Sequence, residues 1–153
     1  MLRPIRDKVI IGHPPSLRMA GLAIIYASSL GGHVRKTAEM FAKELDADIF
    51  DLKKQSDIDL SGYDKLLLGT GIHAGHPYSK MNAFVDGHRE YIDSVSTSLF
   101  ICCMYNYEKG AAQAAKVADK YRLHDVSFFP DSSPKDEDGF SKEMRAFIER
   151  MRK

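Results

Sequence analysis

Short apolar runs alternate with amphipathic stretches along most of this chain. Leu22-Ala23-Ile24-Ile25-Tyr26 reads as a buried strand, and Ala47-Asp48-Ile49-Phe50-Asp51-Leu52 alternates as an outer strand does. Lys65-Leu66-Leu67-Leu68-Gly69 and Leu99-Phe100-Ile101-Cys102-Cys103 are apolar enough to be covered on both faces, as central parallel strands are. Val126-Ser127-Phe128-Phe129-Pro130 supplies a fifth strand. Between the first two runs, Val34, Ala38, Phe41, Ala42 and Leu45 recur at helical spacing, leaving Arg35, Lys36, Glu39, Lys43 and Glu44 for solvent. Met81, Phe84, Val85 and His88 mark a second helix after Pro77. Ala111 to Tyr121 is an alanine-rich third, and Phe140, Met144, Phe147, Ile148 and Met151 make the last. The segment Pro130 to Asp138 before it is polar and has no core pattern. Strands alternating with helices in this way predict an α/β fold, a doubly wound five-stranded parallel sheet.

Composition narrows the class. With 153 residues and 44% hydrophobic content, the chain suits one domain with a real core. Its 22 Lys and Arg balance 21 Asp and Glu, so net charge gives no reason to expect a nucleic-acid or membrane partner. No stretch approaches a membrane span or a signal peptide, and a soluble, cytoplasmic protein is the expectation. The only cysteines, Cys102 and Cys103, are adjacent, which suits neither a structural disulfide nor a spaced metal motif. Alternation along a strand points them to opposite faces, where buried thiols pack as small hydrophobes. Residues 1 to 21, interrupted by Pro4, Pro14 and Pro15, are expected to be an extension ahead of a domain over 22–153. Because Met19-Ala20-Gly21 directly precedes the first strand, Met19 is the expected natural start. The alternative is a packed arm in which Val9-Ile10-Ile11 covers an apolar surface.

The candidate chemistry begins at the end of the first strand. Ser28-Ser29-Leu30-Gly31-Gly32-His33 places hydroxyls and glycines between a strand and a helix, where backbone N–H groups and the positive helix end converge on an anion. His33 and Val34 stand where a P-loop would need its lysine and hydroxyl, so nucleoside triphosphate hydrolysis is not expected. The three spaced glycines of a dinucleotide fingerprint are missing too. A single phosphate monoester fits better; the plainer alternative is a tight strand-to-helix connection. In a doubly wound sheet, ligands bind beyond the carboxyl ends of the strands. Two more loops would meet this turn there: Thr70-Gly71-Ile72-His73-Ala74-Gly75, continuing through His76-Pro77-Tyr78, and the segment from Met104 to Gly110 with Tyr105, Asn106 and Tyr107. A phosphate cradle beside loops bearing His and Tyr points to a flat aromatic ligand.

These residues resemble the flavodoxin superfamily, whose phosphate turn is usually written G-S-T-T-G-N-T. Ser28, Ser29, Gly31 and Gly32 keep its hydroxyl and glycine roles, while Leu30 and His33 replace two threonines. The middle loop, Leu68 to Ser79, resembles the menaquinone-dependent protoporphyrinogen oxidase branch, which shows G-A-S-I-R-Y-G-H there. That branch's long aromatic and basic insertion before the last helix has no counterpart in Pro130 to Asp138. The resemblance spans residues 22 to 150 and implies strand order 2-1-3-4-5 and flavin mononucleotide (FMN) as cofactor. It implies cofactor contacts from Ser28 to His33, Thr70 to Gly75 and Met104 to Tyr107, with redox proteins or a small molecule as partners.

If FMN binds, its isoalloxazine supplies the redox chemistry and the protein supplies orientation and potential. Amides of the loops beginning at Thr70 and Met104 would then meet the ring edge, with Tyr105, Tyr107 or His73 stacking on its face. His73 and His76 lie three apart without a cysteine or carboxylate cluster nearby, so no metal is expected. His88 is expected to pack in its helix. Flavodoxins are typically acidic and this chain is not. Since two like charges about 4 Å apart interact by roughly 4 kcal/mol near a protein surface, a flavin here is expected to have a less negative potential. The function expected is electron transfer on FMN, with a porphyrinogen or quinone oxidoreductase, or a flavin-free interaction module on the same fold, as alternatives.

Overall fold

The computed structural model describes residues 21–29, 31–103, 107–130 and 132–152. The proposed extension, apart from Gly21, and Leu30, Met104, Tyr105 and Asn106 lie outside the described residues. The elements in chain order are β1 (Leu22–Tyr26), α1 (His33–Leu45), β2 (Asp48–Asp51), β3 (Lys65–His73), β4 (His76–Pro77), α2 (Ser79–Gly87), α3 (Arg89–Ser94), β5 (Ser96–Cys103), α4 (Tyr107–Tyr121), β6 (Asp125–Pro130) and α5 (Lys142–Met151). The sheet runs β2-β1-β3-β5-β6, all parallel, with β4 pairing antiparallel to β3 alone. Leaving aside that two-residue ribbon, this is the order 2-1-3-4-5.

Both faces of the sheet are covered, which is why β1, β3 and β5 read as nearly continuous apolar runs. On one face, α2 and α4 bury Met81, Phe84, Val117 and Tyr121 against Ile25, Leu66, Leu68 and Leu99. On the other, α1 and α5 bury Phe41, Phe147 and Ile148 against Ile24, Leu67, Phe100 and Phe129. Phe41 is the hub of this second layer, with ring centroids 5.3 to 6.4 Å from Phe100, Phe129, Phe140 and Phe147. Gly69 is required beneath it, because a Cβ there would come within 2.4 Å of the Phe100 ring.

Several boundaries differ from expectation for physical reasons. β5 starts at Ser96 rather than Leu99, since Ser96-Thr97-Ser98 hydrogen-bond into the ladder opposite Lys65–Leu67 despite their polarity. The helix after Pro77 ends at Gly87, and α3 follows as a separate turn. His88 packs at this break as expected, its ring 4.1 Å from Phe84 and its Nδ1 2.9 Å from the Phe84 carbonyl. The third helix begins at Tyr107, so Tyr107 to Gly110 is helix where a loop is predicted. Phe140 is not part of the last helix. Ser141 caps α5, accepting the Met144 N–H at 3.2 Å, and Phe140 sits just before the cap, with the Arg145 guanidinium 4.1 Å over its ring. That arrangement fixes the chain's entry into the helix in the manner of a hydrophobic staple.

Candidate functional site

Parallel register brings the expected loops to one edge. Tyr26 lies beside Asp51 and Gly69, Gly71 beside Cys102, and Cys103 beside Pro130. The chain leaving β1 is stitched to β3 by Ala27 N–H to the Gly69 carbonyl at 2.9 Å. The turn then folds back through a 3.1 Å bond from Gly32 N–H to the Ser29 carbonyl, and Gly32 enters α1 with φ of 73°, a left-handed conformation that glycine adopts without strain.

The start of α1 has room in its chemistry for an anion. No side chain caps it, and no acidic residue lies in its first turn; His33, Arg35 and Lys36 occupy that turn instead. Positive groups at a helix N-terminus oppose the macrodipole, and the first N–H groups need an acceptor. A bound phosphate satisfies both, so the residues present fit the phosphate of FMN. Ser28, half-buried, directs its hydroxyl to the Ser29 carbonyl at 3.3 Å, and Ser29 is exposed.

The middle loop is more ordered than its glycines predict. Thr70 to His73 continue β3, and Ala74 and Gly75, with φ of 52° and 82°, form a two-residue turn into β4. Positive φ at both central positions is the type I′ signature of a tight hairpin. His73 and His76 face each other across it as a cross-strand pair. Thr70 is fully buried, and its hydroxyl is occupied within the hairpin, donating to the Gly71 carbonyl at 2.9 Å and accepting the Tyr78 N–H at 3.2 Å. The Tyr78 ring lies against Gly71 where a Cβ would be, and Gln113 of α4 donates to the Gly75 carbonyl at 3.1 Å. Ile72 is half-buried, while His73 and Ala74 are exposed at the tip. The hairpin is thus a rigid finger beside the turn.

A cleft of about 420 Å³ opens on the other side of the turn, between α1 and the loop after β6. It is lined by Gly31, Gly32 and His33, which sequence reading selected, and by Lys36, Thr37, Cys102, Phe129 and Lys135, which it did not assign to the site. The signal for Thr37 was available: it lies one helical turn beyond His33 on the buried face. Cys102 is half-buried against the α1 layer, with Sγ 3.5 Å from the Thr37 hydroxyl, so it packs as expected but at the floor of this cleft. The hairpin residues do not line the cleft; the turn stands between the two.

The cleft's outer wall is held by Asp136. Its carboxylate accepts the Phe140 N–H at 3.0 Å, the Asp138 N–H at 2.9 Å and Arg145 Nε at 3.0 Å. These donors, the Phe140 amide foremost, hold its pKa below the usual carboxylate range. A carboxyl depressed in the folded state stabilises above its unfolded pKa, about 3.9, and loses that contribution as pH falls through the folded value. Asp136→Asn is therefore expected to lower Tm near neutral pH by an amount that shrinks toward zero below about pH 3. Thermal melts of both proteins across pH check this, and a pH-independent gap would contradict it.

A parallel sheet of order 2-1-3-4-5 with a phosphate-type turn after its first strand defines a flavodoxin-like α/β protein. The chain belongs to the flavodoxin-domain family, whose model matches residues 23–135. Among solved structures, it resembles a flavoprotein from Lactobacillus acidophilus solved in complex with FMN, at 17% identity, covering 71% of this chain and 93% of that one with TM-score 0.56. Oxidised flavodoxin 2 from Bacillus cereus aligns at 18% identity over 84% of this chain and 95% of that one, with TM-score 0.64. A flavodiiron core from Synechocystis aligns at 12% identity over 88% of this chain but 34% of that one, with TM-score 0.61. No curated protein sequence gives a significant match. Among the described residues, no helix is long and apolar enough to cross a membrane.

Proposed function

We propose that this chain is an FMN-binding redox protein that passes electrons between a donor and an acceptor. The observation that carries this reading is the uncapped, acid-free start of α1, with His33, Arg35 and Lys36 in its first turn. The FMN-bound flavoprotein of the same fold supports it. In this reading Ser28, Ser29, Gly31, Gly32 and His33, with the amide of Leu30, hold the phosphate. Backbone groups of Thr70 to Gly75 and of Met104 to Tyr107 border the isoalloxazine, and His73, Tyr105 or Tyr107 covers its face. FMN supplies one- and two-electron chemistry when bound; the chain's part is to orient it and limit water at the ring. The preformed hairpin serves that part because its turn is tied to α4 and needs little ordering on binding.

The middle-loop resemblance to the menaquinone-dependent protoporphyrinogen oxidase branch would add substrate oxidation to this role. Only a compact loop, closed by the Lys135–Ser141 bridge, occupies the place of that branch's insertion, which favours electron transfer as the first reading.

Titration of flavin-free protein with FMN, followed by flavin fluorescence, tests the proposal, with riboflavin as the phosphate-free control. FMN is expected to bind at least about 100-fold more tightly, equivalent to about 2.7 kcal/mol. Equal affinity for the two would remove the phosphate cradle, and no binding of either would leave the fold in another use.

A further inference from the structure

The chain's near-zero net charge hides a local cluster of cations. The segments 28–36, 51–57 and 73–80 follow β1, β2 and β3 and form one half of the edge around the turn and hairpin. They hold Arg35, Lys36, Lys53, Lys54 and Lys80, all exposed, against the carboxylates of Asp51 and Asp57, with Glu39 one turn further along α1. Asp51 is partly turned inward, half-buried and accepting the Lys53 N–H at 2.9 Å. Among the described residues, the arginines elsewhere are paired locally: Arg89 with Asp93, Arg145 with Asp136, Arg150 with Asp125 and Arg152 with Glu149 at 2.6 to 3.0 Å, and Arg122 with Asp93 at 3.7 Å. Among the described residues, none of the five cations at this edge forms an ion pair. On the far side of the cleft the cations Lys135 and Arg145 stand among Asp136, Glu137 and Asp138, with Arg145 paired to Asp136 and Asp138, so the excess of unpaired cations lies on the β2-β1-β3 half.

Resting on the FMN reading, we infer that this basic half-edge is the docking surface for an acidic electron-carrier protein. Unpaired, flexible lysines contribute little to folding; clustered beside a redox site they create a field that concentrates and orients a negative partner. The charge complementarity selects the occupant: among the described residues, this half exposes lysines, an arginine and histidines with small polar residues and Asp57, and no exposed large aromatic to enter a bilayer. Each encounter moves one electron, oxidising the partner's centre and reducing the flavin. Two encounters complete the reduction, with protons taken from water.

The test uses the FMN-loaded protein and a reduced, strongly acidic [2Fe–2S] ferredoxin as probe, with flavin reduction followed by stopped flow. The second-order rate is expected to fall about tenfold as salt rises from about 10 mM to about 300 mM, because the screening length drops from about 30 Å to below 10 Å. The double variant Lys53→Glu/Lys54→Glu is expected to lose most of the low-salt rate while retaining the wild-type FMN titration, and Lys80→Glu part of it. The flavin-reduced protein reducing cytochrome c, a basic acceptor, is expected to show no such fall with salt. A ferredoxin rate that ignores salt and the Lys53/Lys54 reversal overturns the inference. Sedimentation of the protein with phosphatidylserine vesicles alongside a salt-insensitive ferredoxin rate would also overturn it, in favour of a lipid surface. A protein that fails to take up FMN at all fails earlier, at the cofactor reading.

Discussion

Phe41→Ala is expected to destabilise the fold by about 3–5 kcal/mol, the usual range for deleting a large buried aromatic. Phe41 is fully buried and meets four phenylalanine rings, two of them edge-on and two stacked. Those rings come from β5, β6, the segment before α5 and α5 itself, so one truncation loosens contacts that fix both α1 and α5 to the sheet. Collapse around the void is limited, because the Phe100 ring is wedged over Gly69 and the Phe129 ring stacks on Phe100 with centroids 5.9 Å apart. At about 2–4 °C per kcal/mol for a domain of this size, the melting temperature should fall by roughly 10 °C or more. Phe41→Leu, which refills most of the volume, should recover over half of that loss. Calorimetry on the three proteins decides the point, and a drop of only a degree or two for the alanine variant would mean that the layer repacks freely.

Where the chain is apolar, its pattern carries the architecture. The runs at 22–26, 65–69 and 99–103 are central strands because helices on both sides of the sheet bury both of their faces. The departures occur where local chemistry overrides hydrophobicity. Thr70 to His73 extend β3 because the Thr70 hydroxyl braces the hairpin and the Tyr78 ring fills the space over Gly71, and a glycine-rich string does not advertise either contact. The type I′ turn escapes notice because Ala74, in place of the usual Asn or Asp, occupies its first central position. Ser96 to Ser98 are strand because their neighbours pair with them, not because they are apolar.

The site follows the same division. The turn from Ser28 to His33 was legible because strand, glycines and helix are consecutive in the chain. The cleft beside it was not, because Cys102, Phe129 and Lys135 reach it only through sheet order, from segments 69 to 102 residues beyond His33. Charge shows this most clearly: a balance of 22 against 21 is blind to the gathering of Arg35, Lys36, Lys53, Lys54 and Lys80 around one half of the edge.

His33→Asp should separate folding from function by moving them in opposite directions. A carboxylate in the first turn of α1 can accept the N-terminal amides and complement the macrodipole, which is worth about 0.3–1 kcal/mol to the fold. The same carboxylate then occupies the place and charge of the phosphate. Unit charges about 4 Å apart repel by roughly 4 kcal/mol at an effective dielectric near 20, before screening, so FMN affinity should fall by at least about 100-fold. Riboflavin, which has no phosphate, should bind the variant as it binds the wild type. His33→Asn supplies the control for shape: it retains a polar, capping side chain without the charge and should lose far less FMN affinity. A melting temperature that rises or holds in the absence of flavin, together with lost FMN binding and intact riboflavin binding, is the signature of an anion cradle. If Asp and Asn weaken both flavins equally, His33 acts through the shape of the turn, and the phosphate is held elsewhere.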